Sequence, residues 1–220
     1  MTPSYLQHQL NQSLRNLNVD CVDVYYIHNP ESQLGVVSEP EFYSRIGVAF
    51  EFLESARSQN KIGSYGVATW NGFRTESGSG HHHSLERFVE LAREKGGGSH
   101  GFRFIQLPFN LAMAEALTLR SQTVHGEAAS TLEAAEAFGI NVVASASILQ
   151  GRVASGLPAE IRRAMGSLAN DAQTAIQFVR STPGITTALI GMSRVQHVEE
   201  NAKLVGIEPV SEEDYRGLFA

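Results

Sequence analysis

The sequence predicts an α/β fold in which a parallel sheet, buried on both faces, carries a helix after each strand. Three observations predict it. Short apolar runs alternate with amphipathic stretches five times along the 220 residues. Most of these runs are unbroken, as strands covered on both faces are, and do not alternate apolar with polar. The first run, Val22-Asp23-Val24-Tyr25-Tyr26-Ile27-His28, is β-branched and aromatic and ends in a histidine, with Pro30 two residues on. In barrels and doubly wound sheets, chemistry gathers at the C-terminal ends of the strands.

Composition narrows the class further. Hydrophobic residues make up 42% and charged residues 18%, enough for a packed core and too apolar for disorder. A net charge of −6 argues against nucleic acid or an anionic membrane as the main partner, because phosphate binding needs clustered Lys and Arg. The lone cysteine, Cys21, cannot close an internal disulfide, which suits a reducing cytoplasm. No apolar stretch approaches the ~18 residues of a membrane span. The first five residues lack the basic and apolar regions of a signal peptide. A single cytoplasmic domain over residues 1–220 is expected.

In order, Thr2 and Pro3 open a helix whose Leu6, Leu10, Leu14 and Leu17 make one stripe, and Asn18 stops it. Residues 21–28 form the first strand. A polar loop leads to a helix over 40–60, with Phe42, Ile46, Ala49, Phe50 and Leu53 on one face. A strand over 62–69 follows. The loop 70–84 reads as loose and exposed, and contains His81, His82 and His83. Adjacent histidines do not converge readily on one ion, and no ligand-spaced Cys, Asp or Glu flanks them, so no metal site is expected. A helix over 85–94 ends at a glycine run, and a strand over 102–107 stops at Pro108. After a long loop, a helix is expected over 127–138, closed by Gly139. A strand over 140–146, a loop over 147–166, a helix over 168–180, a strand over 186–190 and a helix over 195–204 complete the pattern. One more turn is expected in the tail.

Five blocks, in order, resemble the aldo-keto reductase family. Ser13-Leu14-Arg15-Asn16-Leu17 through Ile27-His28-Asn29-Pro30 resembles the family's helix followed by a strand ending "IH.P". Lys61-Ile62-Gly63-Ser64-Tyr65-Gly66-Val67 is similar to its "GVSN" strand, and Gln106-Leu107-Pro108-Phe109-Asn110 to its "Q..YN" strand. Gly139 through Gly151 resembles "GI.V.AYSPL..G", and Leu189 through Asn201 the family's last strand and helix. The resemblance implies a partial TIM (β/α)8-type barrel of about five parallel βα units, reduction of small aldehydes or ketones, and NADP as cofactor. The family's first three strands have no counterpart here, so the expectation is an N-terminally truncated form. Of the family's catalytic Tyr, Lys, Asp and His, only the last has a match, His28. Whether the chain is an active enzyme is therefore left open, and NADP binding is expected to be weakened or lost.

The resemblance also implies a cofactor set. Gln106 would hold the nicotinamide amide, and Phe109 stands where an aromatic ring stacks. Thr69 keeps one donor where the family has Asn, whereas Ala68, in place of Ser, keeps none. Ser147 and Gly151 would line the pyrophosphate through backbone N–H groups, with Arg152 beside them. Gly191, Ser193 and Arg194 would take the adenosine phosphate at a helix start, chemistry suited to an anion. Glu200 and Asn201 would face the adenine. Read from the residues alone, each of these is also an ordinary core, loop or helix-start residue. None of the six tyrosines stands in a context fit to replace the family's acid.

Five βα units leave two sheet edges and an open inner face, and exposed edges associate. A homodimer or higher oligomer is expected to cover them. Two further readings stay open: an active oxidoreductase that completes its site across an oligomer interface, and a non-enzymatic scaffold or folded fragment.

Overall fold

The computed structural model describes residues 1–219. Its centre is a five-stranded parallel sheet with strands in the spatial order β1 (Val22–His28), β2 (Ile62–Ala68), β3 (Phe102–Pro108), β6 (Asn141–Ser145) and β7 (Ile185–Ala188). A two-stranded antiparallel hairpin, β4 (Gln122–Val124) and β5 (Glu127–Ala129), stands apart from it. The sheet is open. Among the described residues β1 pairs only with β2, and β7 only with β6. The two edges expected from five units are present.

The helices begin and end where local chemistry allows. In α1 (Pro3–Leu17) the Thr2 hydroxyl accepts from the Tyr5 N–H, and Asn18 takes the left-handed conformation that releases the chain. Ser38 and Ser84 cap α2 (Glu39–Ser58) and α3 (Leu85–Gly96) in the same way. A short helix, α4 (Glu115–Thr118), follows β3. Ser130 and Glu133 form a reciprocal capping box at the start of α5 (Thr131–Phe138), and Gly139 closes it. The short α6 (Ala159–Ala164) precedes α7 (Asp171–Ser181), which Asn170 caps through the Gln173 N–H. After β7 come α8 (Val195–Ala202) and α9 (Glu212–Arg216).

The differences from the sequence reading lie between β3 and α7. The helix expected from residue 127 starts at Thr131, because residues 127–129 pair with β4 across a two-residue turn. His125 and Gly126 both have positive φ there, the requirement of a tight hairpin whose twist matches its strands. The expected loop 147–166 contains α6. The helix expected from residue 168 starts at Asp171, since Asn170 satisfies its first turn better than an apolar residue can.

Strand alternation divides the sheet into two faces. Ile27, Tyr65, Val67, Ile105, Leu107, Val142 and Ala144 point into the main core beneath the helices. That core is aromatic around Phe88, whose ring lies 6.0 Å from Phe50 and 5.9 Å from Tyr43 and Phe73, centroid to centroid. The alternate residues form the inner face. Val24, Tyr26 and Phe104 are half-buried there, with no helix over them. Gly66 belongs to this face at a register shift between β2 and β3. A Cβ at that position would lie 2.3 Å from the Phe104 carbonyl oxygen, so only glycine lets the two strands approach.

Candidate active site at the strand ends

His28 is the last residue of β1 and lies on the inner face, opposite in register to Ile27 in the core. Pairing carries one row straight across the sheet: His28 beside Ala68, Ala68 beside Gln106, Gln106 beside Val143, Val143 beside Thr187. His28 and Gln106 are thus two strands apart, about 10 Å, with a methyl group between them. His28 is exposed and Gln106 half-buried. An imidazole and an amide flanking a small apolar floor can hold two polar groups of one ligand. Ala68 itself is buried and offers no side-chain hydrogen bond.

Thr69 follows directly and is buried. Its hydroxyl oxygen accepts from the Gly72 N–H at 2.8 Å, which curls the loop back on itself while leaving the hydroxyl proton available. Tyr26 sits one layer below His28. Burial pushes its phenol up to about 12, with no cation to lower it, so it stays protonated and is a weak acid.

Two expected cofactor contacts, at Phe109 and Gly151, are not offered by this arrangement. Phe109 does not present its ring at the strand ends: it is fully buried, with its centroid 5.9 Å from that of Phe178 of α7 and the rings parallel within 3°. Alternation puts it with Ile105 and Leu107 on the helix side. The Gly151 N–H donates to the Ile148 carbonyl at 2.8 Å, so a phosphate would have to displace that bond. The Ser147 hydroxyl is buried and donates to the Ala144 carbonyl at 3.3 Å. The loop itself is unusual, since Ala146, Leu149, Gln150 and Gly151 all have positive φ. Such backbone clusters where a ligand or a tight packing constraint demands it. Arg152 is exposed beside it.

The adenosine-side residues lie past β7. Gly191, Ser193 and Arg194 are exposed ahead of α8, where the first-turn N–H groups lack a side-chain cap. That is a reasonable anion position. Glu200 turns its carboxylate to the Gln196 amide at 2.8 Å, and its backbone carbonyl accepts from Gln173. Asn201 lines an apolar cavity of about 420 Å³ with Met192, Val198 and Arg180. A cavity of about 710 Å³ lies between α2 and α3 and is lined by neither His28 nor Gln106. The structure thus gathers His28, Thr69 and Gln106 in one place and the residues from Gly191 to Asn201 in another.

The three adjacent histidines separate completely. His81 is exposed, whereas His82 lies 2.9 Å from the Ser121 carbonyl. His83 is fully buried among Phe42, Phe73 and Phe88. The loop expected to be loose is therefore packed, because Phe73 and His83 bury both of its ends. No group of metal-ligating residues occurs among the described residues. Sequence reasoning missed Glu31, which is buried three residues after His28. Its Oε1 accepts from the Trp70 N–H at 2.7 Å and the Asn71 N–H at 3.2 Å. Only its place after the His28–Pro30 segment hinted at a role.

With this geometry in hand, the comparisons with known proteins are direct. The chain matches the Aldo/keto reductase family over residues 1–218 and belongs to it. It is similar in fold to a thermostable aldo-keto reductase, Tm1743, solved with the inhibitor epalrestat (TM-score 0.67, 19% identity). That match covers 99% of this chain and 66% of that one. It is also similar to the apo form of the aldo-keto reductase AKR11C1 from Bacillus halodurans, with TM-score 0.66, 16% identity, and 98% and 67% of the two chains covered. A third likeness is to an aldo/keto reductase from Klebsiella pneumoniae solved with NADP and acetate, with TM-score 0.65, 20% identity, and 97% and 63% covered. The chain thus spans about two thirds of the length of these structures. No curated protein matches it.

Proposed function

We propose that this chain is a nucleotide-binding reductase module that holds NADP along its strand ends and presents His28 to a small aldehyde or ketone. The observation that carries the reading is the row His28–Ala68–Gln106 at the C-terminal ends of three adjacent strands. Gln106 would hold the carboxamide of the nicotinamide, helped by the free proton of Thr69, and Ser193 and Arg194 would hold the adenosine phosphate. The bound nucleotide would supply the hydride. His28 would donate an N–H to the carbonyl oxygen, where negative charge develops.

The fit is partial, and the partial fit matters. The two ends have suitable donors, but the Gly151 N–H between them is engaged internally. No residue here matches the family's Tyr, Lys and Asp. The proposal is therefore nucleotide binding with little or no turnover by the chain alone.

The test is NADPH consumption against a panel of aldehydes, run with a nucleotide titration followed by quenching of the single tryptophan, Trp70. Binding without turnover is expected. Turnover by a purified oligomer would favour a site completed across an interface instead. Neither binding nor turnover would leave a scaffold role.

The homodimer belongs to the same proposal. Its support is two free sheet edges, an uncovered inner face and exposed Leu189, Met192, Val195, Val198 and Val205 near the β7 edge. Light scattering coupled to size exclusion should give at least twice the 23.9 kDa chain mass at micromolar concentration. A well-folded monomer would refute it.

A further inference from the structure

Glu31 and His83 are the most deeply buried ionisable pair that the site does not use. Glu31 comes from the turn after β1, and His83 from the end of the loop after β2. Their facing atoms, Glu31 Oε2 and His83 Nε2, are 3.8 Å apart. That is too long for a hydrogen bond and too short for a bridging water. Neither Oε2 nor either ring nitrogen of His83 has another partner. Native structures rarely leave so many buried polar atoms unpaired without a reason.

The surroundings explain why the pair stays together. Phe42 stacks on the imidazole with centroids 5.1 Å apart and planes within 11°, while Phe73 and Phe88 meet its edges. On one side the backbone of Gly72 comes so close that a Cβ there would lie 2.2 Å from the ring. The His83 N–H donates to the Gly72 carbonyl at 2.6 Å. The other oxygen of Glu31 holds the Trp70 and Asn71 amides, and the next residue back, Thr69, bonds Gly72. One carboxylate and one imidazole therefore join three segments of the rim. Burial works against ionising Glu31. The facing His83 imidazole and the backbone N–H groups of Glu31, Trp70 and Asn71 outweigh that and hold its carboxyl below the usual range.

Other charged groups near the pair are few. Glu39 of α2 and Arg87 of α3 act on Tyr43 of α2, and Glu39 and His83 act on His82; the Tyr43 oxygen accepts from the Ser84 N–H. Arg74 donates to the Trp70 carbonyl and pairs with Glu115. From β4, Gln122 is neutral and binds the His83 carbonyl. None of these supplies a second carboxylate to His83.

We propose that Glu31 and His83 are positioning residues that act as a proton-operated clamp, holding Thr69, Trp70 and Asn71 against the rim beside His28. At neutral pH the Glu31 carboxylate faces the imidazole across 3.8 Å and accepts from the Trp70 and Asn71 amides through its other oxygen. When acid protonates the carboxylate, its charge-assisted hold on the two amides weakens and an unpaired acid is left against the aromatic box, so the loop opens to hydrate it. The clamp needs no nucleotide, so it stands or falls independently of the proposed function.

Trp70 is the only tryptophan, is 45% exposed and is bonded to Glu31 through its own N–H. Acrylamide quenching of Trp70 in the full chain, across about pH 2 to 8, reads the clamp directly. Far-UV circular dichroism on the same samples reads global folding. In the unmodified chain, quenching should rise on acidification before secondary structure is lost. Glu31→Gln keeps the shape and the acceptor for both amides but removes the acid that titrates, so the rise should disappear. His83→Phe removes a group that favours the carboxylate, so the rise should move to higher pH. The clamp is overturned if quenching tracks secondary structure at every pH, or if both variants keep the unmodified profile. Should a variant not fold, the unmodified chain alone still decides.

Discussion

The two ends of the sheet are built differently. Around β1, β2 and β3, helices α2 and α3 bury a continuous aromatic cluster that includes Phe42, Phe50, Tyr65, Phe88 and Phe102. At the other end α8 contributes no buried residue, and its Val195 is 75% exposed. His28, Thr69 and Gln106 stand on the first region, whereas Ser193, Arg194 and Asn201 stand on the second. In the proposed binding mode the nicotinamide end would meet a densely packed mount and the adenosine end a lightly covered one. Burial density separates the two, because each packed side chain adds contacts that an exposed helix cannot make.

Three substitutions sharpen or break that contrast, all read by denaturant unfolding. Phe88→Ala removes a ring that touches most of the aromatic cluster and should cost about 3–5 kcal/mol. Gly66→Ala forces a methyl group onto the Phe104 carbonyl and should cost about 1–3 kcal/mol, with a weakened β2–β3 pairing. Val195→Ser should change stability by less than about 0.5 kcal/mol. A small effect at Phe88, or a large one at Val195, would erase the distinction between the two ends. A large loss at Val195 would also mean that an association in solution covers α8 as well as the sheet edges.

Much of the architecture was legible because it is written in local chemistry. Thr2, Pro3 and Asn18 bracket α1 at the bounds expected of it. The apolar run ending in His28 is β1, and Gly139 closes α5 as its position suggested. The hairpin at residues 122–129 was harder to see, since three-residue strands are too short for periodicity to register. The His125-Gly126 pair was its only signal. In the candidate site, the placement of His28 and Gln106 on the inner face agrees with what strand ends imply. Phe109 does not follow expectation, because its ring goes to Phe178, a residue on a helix far along the chain. Neither residue betrays the other in sequence.

The sequence by itself determined the alternation of the five sheet strands with helices, their order, the bounds of α1 and the family. These depend on neighbours a few residues apart, whose spacing is fixed by helix and strand geometry. Tertiary structure decided which side of each strand meets solvent, and it turned Phe109 inward. It also separated three adjacent histidines into an exposed, a bonded and a buried one. It brought Glu31 to the Trp70 amide and to His83 across long loops. Those outcomes follow from competition among distant side chains for the same buried space, and no local pattern carries that information.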